Sequence, residues 1–327
     1  MPRVLITPPY LHGLEGRYSR ILQEAGLEVC FSDAHADLRE GDLLRRQLAG
    51  IDAVLASIEP YTDAILATSS LRVIARCGVG YDSIDLDAAS RHNVLVANTP
   101  GANKEGVAEH TIALMLAVAH GFPRRDREIR AGCWKRDSLP RLAGQTVGIV
   151  GLGAIGREVA VRCFALGLSV IATDPFPDPS WAEENNVRMA TQEELFAQAD
   201  VVSLHLPCTN QTAGSFDAQA FSQMKQGAIF INVARGGLVD EAALVDALQS
   251  GHLSAAGLDV FQQEPPPEDH PLLELDNVLL CPHMGGLDLQ SREAMANMAA
   301  ENIARLYRGE RPEGRIVNAD LAANWKW

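Results

Sequence analysis

Three charged side chains in the second half of the sequence, Arg235, Glu264 and His283, each follow an apolar segment typical of a buried strand. They stand in Asn232-Val-Ala-Arg-Gly-Gly237, Asp259-Val-Phe-Gln-Gln-Glu-Pro-Pro266 and Pro282-His-Met-Gly-Gly286. A protonated imidazole can transfer a proton, a carboxylate beside it favours that charged form, and a guanidinium binds a carboxylate through a planar fork. Each residue alone has an ordinary explanation, as a surface ion pair, a turn residue or a capping residue. Because the carboxyl ends of parallel strands share one sheet edge, we expect the three together to form a site for proton transfer.

A glycine-rich turn, Gly151-Leu-Gly153-Ala-Ile-Gly156, stands earlier in the chain. The run 146–150 before it is typical of a buried strand, and 157–166 after it has the apolar spacing of an amphipathic helix. Glycines there let the backbone turn sharply and approach a pyrophosphate, whose charge is stabilised by N–H groups at the helix N-terminus. The pattern therefore predicts that Gly151, Gly153 and Gly156 bind a dinucleotide.

The next predicted strand, 168–172, ends at Thr173-Asp174. The carboxylate of Asp174 can accept hydrogen bonds from an adenosine ribose, and it would repel a ribose 2′-phosphate. No Arg or Lys in Pro175-Phe-Pro177 could neutralise such a phosphate. We therefore expect NAD rather than NADP. The competing interpretation is that the glycines serve packing only and that Asp174 is a solvated strand end.

Predicted strands and helices alternate along the chain, which is typical of parallel sheets covered by helices. Strands are predicted at 4–7, 27–31, 53–56, 73–76 and 94–97, and, after the glycine turn, at 201–206, 228–233, 254–260 and 278–281. Helices are predicted at 15–25, 62–69, 104–120, 240–251 and 290–308. A polar stretch, 123–144, has no assigned element.

These elements predict an α/β fold with two doubly wound parallel-sheet domains. Residues 101–287 would form a Rossmann domain of six parallel strands that binds NAD. It would be inserted in a discontinuous, flavodoxin-like substrate domain built from 1–100 plus 288–327. The last helix is expected to pack back on the N-terminal part of the chain.

The composition excludes several classes of protein. The chain has 327 residues, 47% of them hydrophobic, and a formal net charge of −14, which disfavours nucleic acid and anionic membranes as partners. No apolar run reaches the length of a membrane span, and the N-terminus lacks the layout of a signal peptide. The six cysteines form no CxxC pair. We therefore expect a cytoplasmic protein without disulfides or a bound metal.

The sequence resembles the D-isomer-specific 2-hydroxyacid dehydrogenase family over nearly its whole length. The family includes phosphoglycerate dehydrogenase, glyoxylate/hydroxypyruvate reductase, D-lactate dehydrogenase and formate dehydrogenase. Besides the segments above, the resemblance rests on Arg76-Cys-Gly-Val-Gly-Tyr-Asp-Ser-Ile-Asp85, Asn98-Thr-Pro-Gly-Ala-Asn-Lys-Glu-Gly-Val-Ala-Glu-His-Thr111 and Val202-Ser-Leu-His-Leu-Pro207. It implies an NAD-dependent oxidoreductase that interconverts a small 2-oxo acid and its D-2-hydroxy acid by hydride transfer.

The resemblance also assigns roles to single residues. His283 would donate and accept the proton, Glu264 would pair with it, and Arg235 would bind the substrate carboxylate and polarise the carbonyl. Backbone N–H groups of the loop 77–80 would bind the substrate carboxylate; its residues are Cys77, Gly78, Val79 and Gly80. The cofactor would be contacted by Gly151, Gly153, Ala154, Ile155, Gly156, Asp174, Pro207, Thr212, Val233, Ala234, Arg235, Asp259, His283, Gly285 and Val79.

Several alternatives stay open. His205 competes for the role of proton donor, although it lies in an alternating strand where packing explains it, and His110 is expected to be a structural or interface residue. Corepressors of the C-terminal-binding-protein type share the fold and use NAD in assembly, so a scaffold with little turnover is the alternative function. Formate dehydrogenase is disfavoured because it has an uncharged amide where this chain has Glu264. The longer, serine-controlled phosphoglycerate dehydrogenases are disfavoured because no further domain follows the last helix.

The substrate is left undecided among glyoxylate, hydroxypyruvate, 3-phosphoglycerate and other 2-hydroxy acids, as is the physiological direction. A phosphate group would need a nearby cation, for which Arg3, Arg17 and Arg76 are available. Met284-Gly-Gly-Leu-Asp288 departs from the usual family sequence after the catalytic His, which affects the expected pocket wall. The apolar helix 104–120 and the segment 129–134 match the part of the family that forms a two-fold dimer, so we expect a homodimer.

Overall fold

The computed structural model describes residues 1–33, 36–323 and 325–327. The chain forms two compact units. Unit 1 comprises Met1–Asn103 together with Leu287–Trp327, and unit 2 comprises Lys104–Gly286. Unit 1 is therefore built from both ends of the chain.

The elements alternate as the sequence predicts. The strands are β1 (Arg3–Ile6), β2 (Glu28–Phe31), β3 (Ala53–Ala56), β4 (Val73–Arg76), β5 (Leu95–Ala97), β6 (Thr146–Val150), β7 (Ser169–Thr173), β8 (Arg188–Met189), β9 (Val201–Leu204), β10 (Ala228–Asn232), β11 (Leu253–Leu258) and β12 (Val278–Leu280). The helices are α1 (Arg17–Glu24), α2 (Gly41–Gln47), α3 (Asp63–Leu66), α4 (Leu86–Arg91), α5 (Lys104–Ala119), α6 (Phe122–Arg130), α7 (Ala154–Ala165), α8 (Pro179–Glu184), α9 (Gln192–Gln198), α10 (Ala218–Gln223), α11 (Glu241–Gln249), α12 (Leu289–Tyr307) and α13 (Ala319–Ala322).

Unit 1 contains a five-stranded parallel sheet in the order β2-β1-β3-β4-β5. This is the doubly wound, flavodoxin-like order, in which the chain reverses direction across the sheet between β1 and β3. Its strands are apolar at nearly every position because helices cover both faces. On one face Leu55 packs with Leu22 of α1 and Ile303 of α12, and on the other Val54 packs with Leu44 of α2.

Unit 2 contains a seven-stranded parallel sheet in the order β12-β11-β10-β9-β6-β7-β8. Numbered within the unit, this order is 3-2-1-4-5-6 with one more strand after the sixth, which is the Rossmann arrangement. The prediction of an α/β fold with two doubly wound parallel sheets is therefore confirmed.

The prediction of six strands in this sheet was wrong by one. The additional strand is β8, which pairs with β7 through Arg188 and Met189 opposite Ile171 and Ala172. Two residues are too short to show an apolar period in the sequence. Helix α6 was likewise missed in the polar stretch, because none of its residues is buried and it therefore has no apolar face to detect.

The core of unit 2 lies on both faces of its sheet. On one face four aromatic rings meet, and Phe230 of β10 lies 5.3 Å from Phe221 and 6.0 Å from Phe216 between ring centroids. On the other face α5 contributes Leu114 and Met115. Among the described residues, no helix combines the length and the apolar composition that crossing a membrane would require.

We expect Phe230→Ala to lower the free energy of unfolding of unit 2 by about 3–5 kcal/mol, because it removes a ring that is 0% exposed and leaves a cavity. Urea denaturation followed by fluorescence measures this change. The matched control is Phe176→Ala, whose ring is 90% exposed and which should change stability by less than about 0.5 kcal/mol. Equal effects of the two substitutions would contradict the assignment of Phe230 to the core.

Candidate active site

The glycine turn links β6 to α7 at the carboxyl edge of the sheet of unit 2. Gly151 has a φ of +97°, and its N–H donates to Thr173 O at 2.9 Å. A Cβ at Gly151 would lie 2.6 Å from His205 O, and one at Gly156 would lie 2.1 Å from Gly151 O. Both positions therefore require glycine. Gly153 caps α7, so the N–H groups of the first helical turn point out of the helix, where a phosphate can bind.

Asp174 lies beside this turn. Its Oδ2 accepts a hydrogen bond from Leu152 N at 2.7 Å, and its Oδ1 accepts one from Phe176 N at 2.8 Å. Each carboxylate oxygen keeps a further lone pair for a ribose hydroxyl. Arg157 is the nearby cation that the sequence analysis did not consider: its Nε donates to Leu152 O at 3.2 Å. Its guanidinium also pairs with Asp178 at 3.1 Å, which offsets the charge that a 2′-phosphate would need.

Two other predicted cofactor residues meet after β9. The hydroxyl of Thr212 donates to Pro207 O at 2.7 Å and accepts from Thr209 N at 2.8 Å. The loop that carries both residues therefore has a defined shape at the carboxyl end of β9.

Arg235 follows β10, and its backbone is held by Asn232. The Asn232 amide donates to Arg235 O at 2.9 Å and accepts from Ala234 N at 3.0 Å. Asn232 is 1% exposed, and Val233 beside it is also buried. These two hydrogen bonds of the Asn232 amide thus fix the conformation of the turn 233–235. The guanidinium of Arg235 donates to Ala234 O at 2.6 Å.

Glu264 and His283 form a hydrogen-bonded pair. Nδ1 of His283 lies 2.8 Å from Oε2 of Glu264, while Oε1 accepts from Phe261 N at 3.1 Å. Partial burial acts to raise the pKa of Glu264, but the hydrogen bond and charge of His283, the Phe261 N–H and the charge of Arg235 together lower it below its usual value. Both His283 and Arg235 therefore act on Glu264. Because Nδ1 faces Glu264, Nε2 is the ring nitrogen that can face a ligand.

The backbone of His283 is in the left-handed region, with a φ of +56°. A non-glycine residue there costs about 1–2 kcal/mol, so other contacts must hold it. Asp259 supplies them. Its backbone O accepts from His283 N at 2.8 Å, and its carboxylate accepts from Met284 N at 2.7 Å and Gly285 N at 2.8 Å.

In unit 1, the loop 77–80 follows β4. Two of its four N–H groups are already used, since Cys77 N donates to Ala56 O at 2.8 Å and Gly78 N donates to Thr99 Oγ1 at 3.0 Å. Among the described residues no acceptor is assigned to the N–H groups of Val79 and Gly80. We therefore restrict the N–H groups expected to bind the substrate to those of Val79 and Gly80.

The structure also places the three arginines considered for a phosphate. Arg3 begins β1 and pairs with Glu28 at 3.7 Å, and Arg17 pairs with Glu301 at 3.8 Å. Arg76, in contrast, ends β4, and its guanidinium lies against Gly78, where a Cβ would be 2.6 Å from Nη1. Of the three, Arg76 is the one beside the loop 77–80.

A second guanidinium, that of Arg292, belongs to the same part of unit 1. It stacks 4.1 Å above the ring of Tyr10, whose hydroxyl lies 3.1 Å from Sγ of Cys77. Burial raises the pKa of Tyr10, and the charges of Arg76 and Arg292 both oppose that rise, so both guanidiniums act on this hydroxyl. The buried carboxylate of Glu59, which accepts from Tyr61 Oη at 2.8 Å, is the counter-charge in this cluster.

His205 is the alternative candidate for the proton donor. The residue as a whole is partly exposed, but its imidazole ring is enclosed by protein atoms. This burial lowers its pKa to about 3, and its Nε2 lies 2.9 Å from Ser203 Oγ. The ring is therefore neutral near pH 7. A neutral imidazole is a weak proton donor, which favours His283.

Comparison with known proteins shows what the chain is related to. Residues 112–285 match the model described as "D-isomer specific 2-hydroxyacid dehydrogenase, NAD binding domain". The chain is 40% identical over 295 residues to D-3-phosphoglycerate dehydrogenase of Archaeoglobus fulgidus, covering 88% of this chain and 55% of that protein. It is 38% identical over 278 residues to glyoxylate reductase of Korarchaeum cryptofilum, covering 83% of each. The chain belongs to the D-isomer-specific 2-hydroxyacid dehydrogenase family.

Unit 2 is accordingly the NAD-binding domain of this family member. A solved structure of D-lactate dehydrogenase from Aquifex aeolicus, complexed with NAD and lactic acid, superposes with a TM-score of 0.83 at 27% identity. It covers 96% of this chain and 99% of that one. The chain spans about half the length of the first phosphoglycerate dehydrogenases it matches, 55% of the Archaeoglobus protein.

Sequence reasoning gave no binding or positioning role to Asn232, His110 or Arg292. Asn232 is a polar residue at the end of an apolar strand, a signal that could have found it. His110, expected to be structural or at an interface, lies 3.2 Å from Asp259. Arg292 comes far along the chain from Tyr10, and no local pattern joins them.

We expect His283→Ala to raise the pKa of Glu264, because the hydrogen bond that lowers it is lost while partial burial, which raises it, persists. Titration of 13C-labelled glutamate carboxyls by NMR measures the pKa, with Glu264→Gln to assign the resonance. The control is His270→Ala, since His270 pairs with Glu241 at 3.0 Å instead. A Glu264 pKa that His283→Ala leaves unchanged would contradict the pairing.

Proposed function

We propose that this chain is an NAD-dependent dehydrogenase that interconverts a small 2-oxo acid and its D-2-hydroxy acid. The observation that carries the proposal is the hydrogen-bonded pair of His283 and Glu264, whose Nδ1 and Oε2 lie 2.8 Å apart at the carboxyl edge of an NAD-binding domain. The charge of Arg235 also acts on Glu264 and lowers its pKa. Related proteins named D-3-phosphoglycerate dehydrogenase and glyoxylate reductase support the class of reaction.

The glycine turn fits a dinucleotide, since its tight backbone packing admits no Cβ at Gly151 or Gly156 and it leads directly to the N-terminus of α7, where a phosphate can bind. A dinucleotide held by this turn would supply or accept the hydride through its nicotinamide. We propose that Asp174 binds the adenosine ribose. The remaining contacts that we propose for NAD are Gly153, Ala154, Ile155, Pro207, Thr212, Val233, Ala234, Arg235, Asp259, His283, Gly285 and Val79.

The chemistry of this chain's own residues follows from their arrangement. In reduction, protonated His283 gives its Nε2 proton to the carbonyl oxygen as the carbonyl carbon receives the hydride; in oxidation, neutral His283 takes the hydroxyl proton back. Glu264 holds the ring by Nδ1 and stabilises the imidazolium. The fork of Arg235 binds the carboxylate of the acid and polarises its carbonyl.

In unit 1, we propose that the N–H groups of Val79 and Gly80 bind the substrate carboxylate. Arg76 lies beside that loop, Arg292 stacks on Tyr10, which contacts Cys77 of the loop, and the buried carboxylate of Glu59 acts on the same cysteine. A guanidinium binds a phosphate or carboxylate through its planar fork, which suits a second anionic group on the substrate. We therefore propose a phosphorylated three-carbon acid, as in the relatives named for D-3-phosphoglycerate, before glyoxylate or hydroxypyruvate.

We also propose a homodimer. Several large apolar side chains between 122 and 134 are exposed, including Trp134 at 81%, Phe122 at 56% and Ile129 at 52%. Covering such side chains is a usual role of a subunit interface.

All six cysteines are free thiols, which supports a reducing compartment such as the cytoplasm.

We expect wild-type protein to oxidise NADH in the presence of 2-oxo acids, followed at 340 nm, and to prefer NADH to NADPH. His283→Ala should lower kcat about 10²–10⁴-fold, because general acid catalysis contributes that factor. His92→Ala is the control and should keep the wild-type rate, since His92 pairs with Asp63 on the surface of unit 1. NADH binding without turnover on any 2-oxo acid would support the corepressor-like scaffold instead.

We expect Arg292→Gln to lower kcat/KM for phosphohydroxypyruvate about 10–100-fold, since a charge-assisted hydrogen bond contributes about 1.5–3 kcal/mol. Activity with glyoxylate, which has no second anionic group, should change less than about threefold, and Arg292→Lys should retain part of the preference. Arg17→Gln controls for the loss of one positive charge. Equal losses with both substrates would show that Arg292 serves packing on Tyr10 and not substrate recognition.

A further inference from the structure

A cluster outside the proposed catalytic triad lies directly behind His283. It consists of Asp259, His110 of α5 and Cys281, which offer three polar atoms within 4.8 Å of one another. Asp259 is 1% exposed. As described above, it binds the N–H groups of three successive residues, 283–285, through its backbone oxygen and both carboxylate oxygens. One buried carboxylate thus holds the turn that carries His283 in its left-handed conformation.

A buried carboxylate needs compensation for the water it has lost. The Met284 and Gly285 N–H groups supply part of it, and His110 supplies more, since its Nε2 lies 3.2 Å from Oδ1 of Asp259. That nitrogen is itself buried, and the carboxylate of Asp259 is the polar group that it faces. Desolvation acts to raise the pKa of Asp259, yet His110 and the two N–H groups keep it below its usual value.

The ring of His110 also limits where the turn can go. A Cβ at Gly285 would lie 3.1 Å from Oδ2 of Asp259 and 3.6 Å from Cδ2 of His110. At Gly285 the turn therefore packs closely against both the carboxylate of Asp259 and the imidazole of His110. Because both carboxylate oxygens already accept backbone N–H groups, the cluster favours positioning by hydrogen bonds over the binding of a cation.

We propose that His110 is a positioning residue: by holding Asp259 against the N–H groups of 283–285, it keeps the imidazole of His283 in contact with Glu264. This inference rests on the proposed function for its effect on turnover, but its geometric part does not. His110 belongs to α5, which is anchored in the core of unit 2 through Leu114 and Met115. The orientation of His283 is thereby fixed by a helix that contributes nothing to the triad itself.

The test compares His110→Leu, which fills the space without a donor, with His110→Gln, which keeps one. The matched control is Thr111→Val: this neighbour on α5 is 0% exposed, and its hydroxyl donates within the helix, to Val107 O at 2.7 Å. The first readout is the carboxyl pKa of Glu264 by 13C NMR, which needs no activity. The second is kcat with a 2-oxo acid and NADH.

His110→Leu should raise the Glu264 pKa towards its value in His283→Ala and lower kcat about 10–100-fold, because small misplacements at a reacting centre have effects of that size. His110→Gln should lie between His110→Leu and wild type, and Thr111→Val should match wild type. A folded His110→Leu protein with an unchanged Glu264 pKa overturns the inference. If that variant does not fold, a His110→Gln protein indistinguishable from wild type in both readouts, or a Thr111→Val protein with the same pKa shift, overturns it. A pKa shift in a protein that turns over no 2-oxo acid would support the positioning role while rejecting the proposed function.

Discussion

The hydrogen bonds of Asp259 are the interaction on which the candidate site depends. Asp259 follows β11, its N–H donates to Asn232 O at 2.9 Å, and its oxygens bind the backbone of the turn after β12. Three neighbouring strands, β10, β11 and β12, are thus joined just beyond their carboxyl ends. The turns carrying Arg235 and His283 are held by this network, so the spacing of the reactive groups follows from the pairing of the strands.

The electrostatics of the site follow from the same arrangement. Glu264 is half-exposed and would have an ordinary carboxyl pKa in water, but His283 and Arg235 keep it ionised to lower pH. His205, near the glycine turn, shows the opposite case: burial lowers the pKa of its ring to about 3, so the ring is neutral near pH 7. The two imidazoles of this domain therefore differ in their surroundings, since His283 is hydrogen-bonded to a carboxylate and the ring of His205 is enclosed by protein.

Much of this arrangement could be predicted from the sequence, because it is local or follows from the alternation of strands and helices. The glycine turn, the carboxylate after β7 and the strand ends bearing Arg235, Glu264 and His283 are of that kind. What could not be predicted depends on partners distant in sequence. The Cys77 N–H donates to Ala56 O on the neighbouring strand. Arg292 contacts Tyr10 because α12 packs within unit 1 beside residues from the start of the chain. The strand β8 escaped detection because two residues carry no periodic signal.

The exposure of His283 has a consequence for how a proton would be replaced. About 44% of its side chain is in contact with solvent, while Nδ1 is bound to Glu264. Water therefore reaches the imidazole directly, and the ring can exchange its proton with the bulk without a relay of buried side chains. In the proposed reaction, buffer and solvent would therefore act as the proton reservoir for His283.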